Sequence, residues 1–303
     1  MRSIVATAGF VHSLPFSFMR LEIFHLTRYE YDREVQIHPH LLYLRPRENP
    51  LLQVNRFAFF FQPEARVDWM RDDFDNLPAS AQFFLNTAVL EIRSECTVTT
   101  ADTPPFDFLV RDYARAFPFA YEPLHRFNLS IYLTPPDDAT RAALLRWLDS
   151  RFVDRPAETV GWLFAFNQVI NRNLAYQRRD EAGIQSALAT INLGSGSCRD
   201  FAVLFIECAR ALGIAARFVS GYLFDPSGNG SRGGDMHAWA EVFLPGAGWK
   251  GIDPTHGIFC DNAYVPVAHA VVAESVNPVQ GSFVSVIPTA ARLTTDVRVR
   301  QSS

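Results

Sequence analysis

The chain has 303 residues, a formal net charge of −4 and a hydrophobic content of 48%. This hydrophobic content excludes a disordered chain. The acidic balance argues against a general nucleic-acid binder, because such a surface needs excess basic groups to neutralise phosphates. No apolar run approaches the ~18–20 residues that a membrane-spanning helix needs. We therefore expect a globular protein, long enough for two domains, with neither nucleic acid nor membrane as a partner.

The first 18 residues are weakly apolar, carry one arginine and are interrupted by His12, Ser13 and Pro15. We interpret residues 1–18 as an N-terminal extension, and a weak signal peptide is the alternative. The first strand-like pattern begins directly after this extension, at Met19.

The next segment is rich in aromatic and β-branched residues that alternate with period two in several places, which is typical of β-strands. The strand-like stretches are residues 21–31, 41–45, 54–62, 65–70 and 89–100. Prolines and the RDDFDN stretch separate them as turns. Several short strands with regular breaks predict a β-sandwich-like N-terminal domain over residues 19–105.

Residues 106–157 are predicted to be a linker with helices. A short helix is expected over roughly 106–116. A longer one is expected over 137–152, with Asp137 or Asp138 as its N-cap. A further helical pattern at 158–176 opens a second region, residues 158–300, in which helices come first and strands follow. This order predicts an α+β protein.

The segment that carries chemistry is residues 191–224. Its GSGS sequence, residues 194–197, forms a loop that cannot be regular helix. After this loop, residues recur at a spacing of 3, 4, 3 and 4 along one helical stripe. The stripe consists of Cys198, Phe201, Phe205, Cys208 and Leu212. Gly213 is expected to end this helix, so Cys198 is placed at the first turn of a buried helix.

This position suits a nucleophile. Helix N-termini carry unpaired N–H groups and about half a positive charge, which stabilises a thiolate. The same N–H groups can bind the oxyanion that forms when a thiolate attacks a carbonyl, so Gly196 and Ser197 are candidate substrate or oxyanion residues. The alternative is that Cys198 is a small core residue, which is our interpretation of Cys208.

The other two cysteines, Cys96 and Cys260, have no partner at metal-binding or disulfide spacing. Scattered thiols are typical of a reducing compartment. We therefore predict a cytoplasmic protein with no metal and no cofactor.

A nucleophilic cysteine needs a base, and the base needs an orienting acceptor. Residues 236–254 are a predicted β-hairpin that turns at its Pro-Gly-Ala sequence. A five-residue loop that pairs Val242 with Gly248 would place His237 opposite Asp253, with Cβ atoms about 4.5–5.5 Å apart. Other loop lengths would shift this register. We predict His237 as the base and Asp253 as its orienting carboxylate.

Several neighbouring residues are interpreted as structural. His256 and His269 have no carboxylate at a suitable spacing and are expected to be surface or packing histidines. Trp239 and Trp249 are expected to pack in the core. The alternative is that they shape a substrate channel or donate an indole N–H to an oxyanion, and Trp239 is the candidate we name for that role. Asp200 is expected to complement the helix dipole.

These residues resemble a known family. The stretch GSGSCRDFAVLFIECARALGIAARFVSGYL, followed by DMHAWAEVFLPGAGWKGIDPTHG, is similar to the core of the bacterial transglutaminase-like superfamily of cysteine proteases, over roughly residues 160–260. The segment beginning LEIFHLTRYEYDREVQIHPHLLYLRPR resembles the β domain that accompanies this core. The sequence contains no calcium loop of the D-x-D-x-D type, so we do not extend a calcium requirement to it.

The resemblance implies a papain-like, transglutaminase-like α+β core, in which the cysteine helix packs on an antiparallel sheet that bears the histidine and the aspartate. It implies Cys198 as nucleophile, His237 as general base and acid, and Asp253 as the orienting carboxylate. The leading hypothesis is a thiol enzyme that acts on a protein, peptide or other amide by hydrolysis or transamidation. The alternative is an inactive binding or scaffold protein that uses the β domain and keeps a vestigial triad.

Overall fold

The computed structural model describes residues 17–152, 155–179, 183–225 and 236–302. The predicted N-terminal extension lies outside these residues except for its last two positions. Residues 225–234 are rich in glycine and asparagine, a composition that predicts a loop, and they lie outside the described residues except for residue 225.

The first half of the described chain is built mainly from strands. They are β1 (Phe18–Ile37), β2 (His40–Leu42), β3 (Leu52–Gln62), β4 (Ala65–Trp69), β5 (Ala79–Phe83) and β6 (Thr87–Ala101). The helices that follow are α1 (Pro123–Asn128), α2 (Asp138–Asp149), α3 (Thr159–Asn173), α4 (Ala187–Leu193) and α5 (Cys198–Ala211). Short 3₁₀ turns lie at Asp112–Ala114, Ser130–Tyr132 and Ala273–Val276.

The remaining strands alternate with and follow the last helices. They are β7 (Ala175–Tyr176), β8 (Ser195–Gly196), β9 (Ala216–Leu223), β10 (His237–Leu244), β11 (Gly248–Asp253), β12 (Ile258–Phe259), β13 (Tyr264–Ala270), β14 (Val279–Gln280), β15 (Phe283–Val284) and β16 (Ala291–Gln301).

Two sheets form the predicted β-sandwich. In one sheet β1 is central: β6 pairs on one side, followed by β3, while β15 and β16 pair on the other side. The second sheet has the order β14-β2-β5-β4. Alternate side chains from the two sheets meet face to face, for example Phe59 stacked on Trp69 with ring centroids 5.6 Å apart. The sequence prediction of a sandwich is confirmed.

The C-terminal part of the chain returns to this sandwich. Strand β16 pairs with β1 from Leu21 to Tyr31 and covers what would otherwise be a free strand edge. Strands β14 and β15 also pair with first-domain strands. The predicted limit of 158–300 for the second domain therefore runs past the core sheet, whose last strand ends at Ala270.

The linker differs from its prediction. Instead of a helix over 106–116, the structure has one 3₁₀ turn at Asp112–Ala114, because the chain here is extended along the core domain. Phe106 packs against Phe259 with ring centroids 4.9 Å apart, and the Arg111 N–H donates to the Pro245 carbonyl. The helices predicted at 137–152 and 158–176 are present as α2 and α3, and Asp137 is the N-cap of α2.

The core sheet has the antiparallel order β12-β11-β10-β9-β13. Helix α5 lies across β9 and β10, and its buried stripe includes Phe201 and Phe205. Phe205 stacks on Phe166 of α3 at 4.4 Å between ring centroids. A cysteine-bearing helix packed on an antiparallel sheet is the predicted α+β core. Among the described residues, no helix combines the length and apolarity that crossing a bilayer demands.

Candidate active site

Cys198 is the first residue of α5 and is partly buried. The short strand β8 leads into it and pairs in parallel with β7. At Gly196 the chain passes close to the helix: a Cβ there would lie 2.9 Å from the Asp200 Cβ and 3.3 Å from the Phe201 ring. The glycine is therefore needed for close packing of the entry loop on its own helix.

The side chain of Asp200, in the first turn of α5, binds this entry loop. Its fully buried carboxylate accepts hydrogen bonds from the Ser197 N–H, the Ser197 hydroxyl and the Gln185 N–H at 2.7–2.9 Å. Arg179 pairs with the same carboxylate at 2.9 Å. The predicted dipole effect is thus accompanied by a capping box, which fixes the backbone on both sides of the cysteine.

His237 begins β10, and Asp253 ends β11. The predicted register is wrong, because Leu244 pairs with Gly248 and Ala240 with Ile252, a shift of two residues from the expected pairing. A shift of two preserves the side-chain alternation of both strands, so the two side chains remain on one face. The His237 Nε2 atom lies 2.7 Å from Asp253 Oδ2.

The Asp253 carboxylate is fully buried and accepts hydrogen bonds on both oxygens. Oδ2 lies 2.7 Å from His237 Nε2, 2.6 Å from His256 Nδ1 and 2.7 Å from the Tyr264 hydroxyl. Oδ1 accepts from the Thr255 N–H at 2.7 Å. Because an ionised carboxylate only accepts hydrogen bonds, each ring nitrogen that faces it carries a hydrogen. His237 therefore carries a hydrogen on Nε2, which leaves Nδ1 as the ring nitrogen that can exchange a proton with Cys198, a residue that lines the same groove.

Charges in this cluster support one another. Burial by itself lowers the pKa of His237, but Asp253 and the Cys198 side chain outweigh it and raise that pKa above its ordinary value. Burial likewise raises the pKa of Asp253, yet His237 and His256 hold it far below its usual range. The histidine is thus favoured as a cation and the carboxylate as an anion.

The sequence analysis missed two members of this network. His256 was expected to be a surface or packing residue, but it contacts Asp253 from three residues further along the chain. Tyr264 begins β13, which is separated from β11 by two strands in the sheet order, and it was not considered. The signal for His256 was the Asp-Pro-Thr-His sequence, since a turn brings residues i and i+3 together. His269 does pack in the core: its backbone N–H donates to the Asn76 Oδ1 atom, its carbonyl accepts from the Asn76 amide, and its ring accepts from Arg47.

Helix α3 holds the turn that follows Asp253. The Asn167 side chain donates to the carbonyls of Asp253 and Ile258 at 3.2 and 3.1 Å. Asn171 donates to the Thr255 carbonyl at 2.7 Å, and Gln168 donates to the Gly257 carbonyl. These three amides lie within about one turn of α3, and we call them the α3 amide clamp. The clamp fixes the backbone that carries Asp253 and His256.

Two of the predicted oxyanion residues, Ser197 and Trp239, are engaged in other contacts in the structure. The Ser197 N–H already donates to Asp200, so it is not available to an oxyanion. Trp239 is 2% exposed and packs behind His237 against Tyr264, with ring centroids 6.2 and 5.3 Å away. Trp249 also packs as expected, beneath the Arg217 guanidinium at 4.0 Å.

A groove of about 210 Å³ opens beside Cys198 and His237. One wall contains the apolar side chains of Phe218, Met236 and Val276. Arginines stand near the helix N-terminus: Arg178, Arg179 and Arg199. The nucleophile is therefore accessible from one side while Asp253 is enclosed.

Metal-ligating atoms also meet at this point. One ligand atom from each of His237, Asp253 and His256 lies within 4.8 Å of the others. Both ring nitrogens in this set are engaged with the carboxylate as hydrogen-bond donors. A metal ion could bind here only after both nitrogens had lost their hydrogens, because a metal ligand must offer a lone pair.

Comparison with known proteins places this geometry in context. Residues 150–254 match the model of the transglutaminase-like superfamily, and residues 21–99 match that of the bacterial transglutaminase-like N-terminal region. The chain thus combines the two regions that the sequence resemblance predicts. A crystal structure of a "putative cysteine protease" from Cytophaga hutchinsonii superposes with a TM-score of 0.72 over 95% of this chain and 92% of that one, at 19% identity. This match shows that the two proteins share a fold.

Relatives with similar sequences cover parts of the chain. An uncharacterized protein of Mycobacterium tuberculosis is 37% identical over 126 residues, which are 36% of this chain and 40% of that protein. A protein-glutamine gamma-glutamyltransferase of Pseudomonas aeruginosa is 34% identical over 86 residues, which are 27% of this chain and 13% of that protein. The matched segments span less than half the length of these relatives.

Proposed function

We propose that this protein is a thiol acyl-transfer enzyme that acts on amide bonds through Cys198, His237 and Asp253. The observation that carries the proposal is the His237–Asp253 pair, 2.7 Å apart, whose histidine lines the same groove as Cys198 at the N-terminus of a helix. Nucleophile, base and orienting acceptor within hydrogen-bond reach are the arrangement that nucleophilic catalysis requires.

In the first step the proton of the Cys198 thiol rests on His237 Nδ1, which makes the ring an imidazolium, and the thiolate attacks the amide carbonyl carbon. The helix N-terminus stabilises negative charge on sulfur. Asp253 stabilises the imidazolium that results and keeps the ring oriented. His237 then returns the proton to the departing amine as the carbon–nitrogen bond breaks, which leaves a thioester on Cys198.

In the second step water or a primary amine attacks the thioester carbonyl. His237 Nδ1 takes the proton of the attacking group, the carbon–sulfur bond breaks, and the Cys198 thiol is regenerated. Water gives hydrolysis, and an amine gives transamidation. The similarity to a protein-glutamine gamma-glutamyltransferase supports a glutamine side-chain amide in a protein or peptide as the acyl donor.

The tetrahedral intermediate needs donors for its oxyanion. Ser197 and Trp239 are poor candidates, because the Ser197 N–H is already bonded and Trp239 packs behind the histidine. We assign this role to the backbone N–H of Cys198 itself, since the first N–H groups of a helix have no partner within the helix.

The test is to incubate the purified chain with a glutamine-containing protein, with and without a biotinylated primary amine. Mass spectrometry then reads out peptide-bond cleavage, side-chain deamidation and amine incorporation. We expect Cys198→Ala to abolish every product above background, as loss of a nucleophile costs several orders of magnitude. Cys96→Ala is the matched control, since Cys96 lies in β6 of the sandwich, and it should retain activity.

A wild-type chain that is folded, yet gives no product and no Cys198-dependent labelling by iodoacetamide at neutral pH, would contradict the proposal. The scaffold alternative would gain support if such a chain retained one partner equally well with and without the cysteine.

We also propose a cytoplasmic location, because none of the four cysteines is in a disulfide. Cell fractionation with an antibody to the chain would test it.

A further inference from the structure

The buried carboxylate of Asp253 contacts two histidines through the same oxygen, but only one of them, His237, lines the groove beside the nucleophile. We propose that His256 is a positioning residue: it holds the Asp253 carboxylate in the rotation that His237 requires for acyl transfer. This inference rests on the proposed function of Cys198 and His237.

Donors from the turn that follows β11 bind both oxygens of the Asp253 carboxylate. The Thr255 N–H donates to Oδ1 at 2.7 Å, and His256 Nδ1 donates to Oδ2 at 2.6 Å. Both donors lie within three residues of Asp253, so the carboxylate plane is fixed by its own turn. His237 then meets Oδ2 from the adjacent strand at 2.7 Å. Without the His256 ring, the turn keeps donors to Oδ1 alone, the N–H of Thr255 and, at 3.4 Å, the N–H of residue 256, and it loses its donor to Oδ2.

The turn itself is rigidly attached to the core. Asn167 and Asn171 of the α3 amide clamp bind the carbonyls of Asp253 and Thr255. Gly257 adopts φ +70°, and a Cβ at that position would lie 2.9 Å from the Gln168 amide nitrogen. His256 is therefore presented from a backbone with little freedom to move, which is what a positioning side chain needs.

His256 does not take the place of His237. Its Nδ1 faces the carboxylate and carries a hydrogen there. Among the described residues that line the groove at Cys198, His237 is present and His256 is absent. The ring of His256 stands beside that of His237, with centroids 5.2 Å apart, and outside the groove lining. It can act on the reaction only through Asp253.

The experiment compares two substitutions in the full chain. His256→Phe keeps a ring of similar size but removes the donor, and His256→Asn removes the ring but offers an amide N–H near the position of Nδ1. We expect His256→Phe to lower kcat by up to about 100-fold with little change in KM, the scale of an ångström-level misplacement of a catalytic group. We expect His256→Asn to retain most of kcat.

A second readout follows from charge. Burial raises the pKa of Asp253, and the donors on Oδ2 oppose that effect. Loss of the His256 donor should therefore raise this pKa, so the acid limb of the kcat/KM profile should move to higher pH in His256→Phe and not in His256→Asn. A role in packing alone would leave this limb unmoved.

The outcomes separate the two proposals. If the wild-type chain has no Cys198-dependent turnover, the proposed function fails. If it turns over amides and His256→Phe is as active as wild type with the same pH profile, the positioning role fails while the function stands. Equal losses in both variants, with unchanged Tm, would also overturn the positioning role.

Discussion

Asp200 Oδ2 accepts hydrogen bonds from both the backbone N–H and the hydroxyl group of Ser197, at 2.8 and 2.9 Å. Ser197 directly precedes Cys198, so this pair sets the direction in which the chain enters α5. It commits the last backbone N–H before the nucleophile to a structural hydrogen bond, which is why we assign the proposed oxyanion role to the N–H of Cys198.

Substitution of Asp200 should be far more costly than the loss of a dipole effect. In Asp200→Asn one carboxylate oxygen is replaced by an amide NH₂ group, which is itself a donor. In one orientation of the amide this group would face the donors of Ser197, and in the other it would face those of Gln185 and Arg179. We expect the free energy of unfolding to fall by about 3–5 kcal/mol, the cost of breaking a buried ion pair. The measurement is urea denaturation.

Asp138→Asn is the matched control, because Asp138 is an exposed first-turn residue of α2. It should lose only the helix-dipole contribution of about 0.3–1 kcal/mol. Similar losses in both variants would show that Asp200 acts through the dipole alone.

The buried His25 should make stability depend on pH. It lies between the Tyr222 hydroxyl and Thr27 at 3.2 and 3.1 Å, and burial lowers its pKa from 6.5 to about 4. Between about pH 4 and 6.5, His25 is therefore protonated in the unfolded chain and neutral in the folded chain. Its contribution to stability is complete above about pH 6.5 and is lost as the pH falls toward 4, by at most about 1.4 kcal/mol per pH unit.

The check is to measure the free energy of unfolding of wild type and His25→Gln at several pH values between 4 and 7. The variant has no titrating group at this position, so its stability should decline less steeply on acidification. Parallel curves would mean that His25 is protonated in the folded chain as readily as in the unfolded one.

Asp253→Asn should impair both the charge and the geometry of the site. With the amide oxygen toward His237, the amide nitrogen would face the Thr255 N–H, and in the other orientation it would face two rings that both donate. We expect a loss in kcat/KM of at least about 100-fold, in line with loss of an orienting carboxylate. The pKa of His237 should fall, because the carboxylate that raises it is gone.

Proton NMR of the His237 ring across a pH titration would follow that fall directly. Wild type provides the reference titration, in which both Asp253 and Cys198 are intact. An unchanged titration of His237 in Asp253→Asn would contradict the charge coupling inferred from their contact.

The turn held by the α3 amide clamp offers a test of rigidity. Gly257→Ala should lower stability by roughly 1–2 kcal/mol for the left-handed backbone, and its Cβ would also push against Gln168 and Asn171. We expect kcat to fall together with stability, because the turn carries Asp253. Thermal unfolding and turnover are measured on the same preparations.

Gly248→Ala separates the two effects. Gly248 has φ +75° with no atom near its Cβ direction, so alanine there carries the backbone strain without displacing any neighbour. It should lose stability and keep kcat. If Gly248→Ala lost as much kcat as Gly257→Ala, general destabilisation would explain both.

Local periodicity was enough to predict much of this molecule. The 3-and-4 spacing of Phe201 and Phe205 predicted α5 and the place of Cys198 on it. Strand alternation kept His237 and Asp253 on one face even though the predicted register was two residues out. Contacts between distant segments were not predictable in this way: Tyr264 reaches Asp253 only because β13 lies in the same sheet, and no spacing in the sequence records that neighbourhood.

Strand β16 has a consequence for how the protein is made. The core sheet and α5 lie between β6 and β16 in the chain, yet β6 and β16 flank the same strand, β1, on its two sides. A ribosome releases the nucleophile helix and both triad strands before it releases the strand that completes the first sheet. The β1 edge must therefore stay unpaired until the last residues of β16 emerge. The pairs between β1 and β16 join distant parts of the chain, and such non-local contacts form slowly. A chain stalled after residue 290 would have every proposed catalytic residue and an open sheet edge, the form most prone to associate with its own copies.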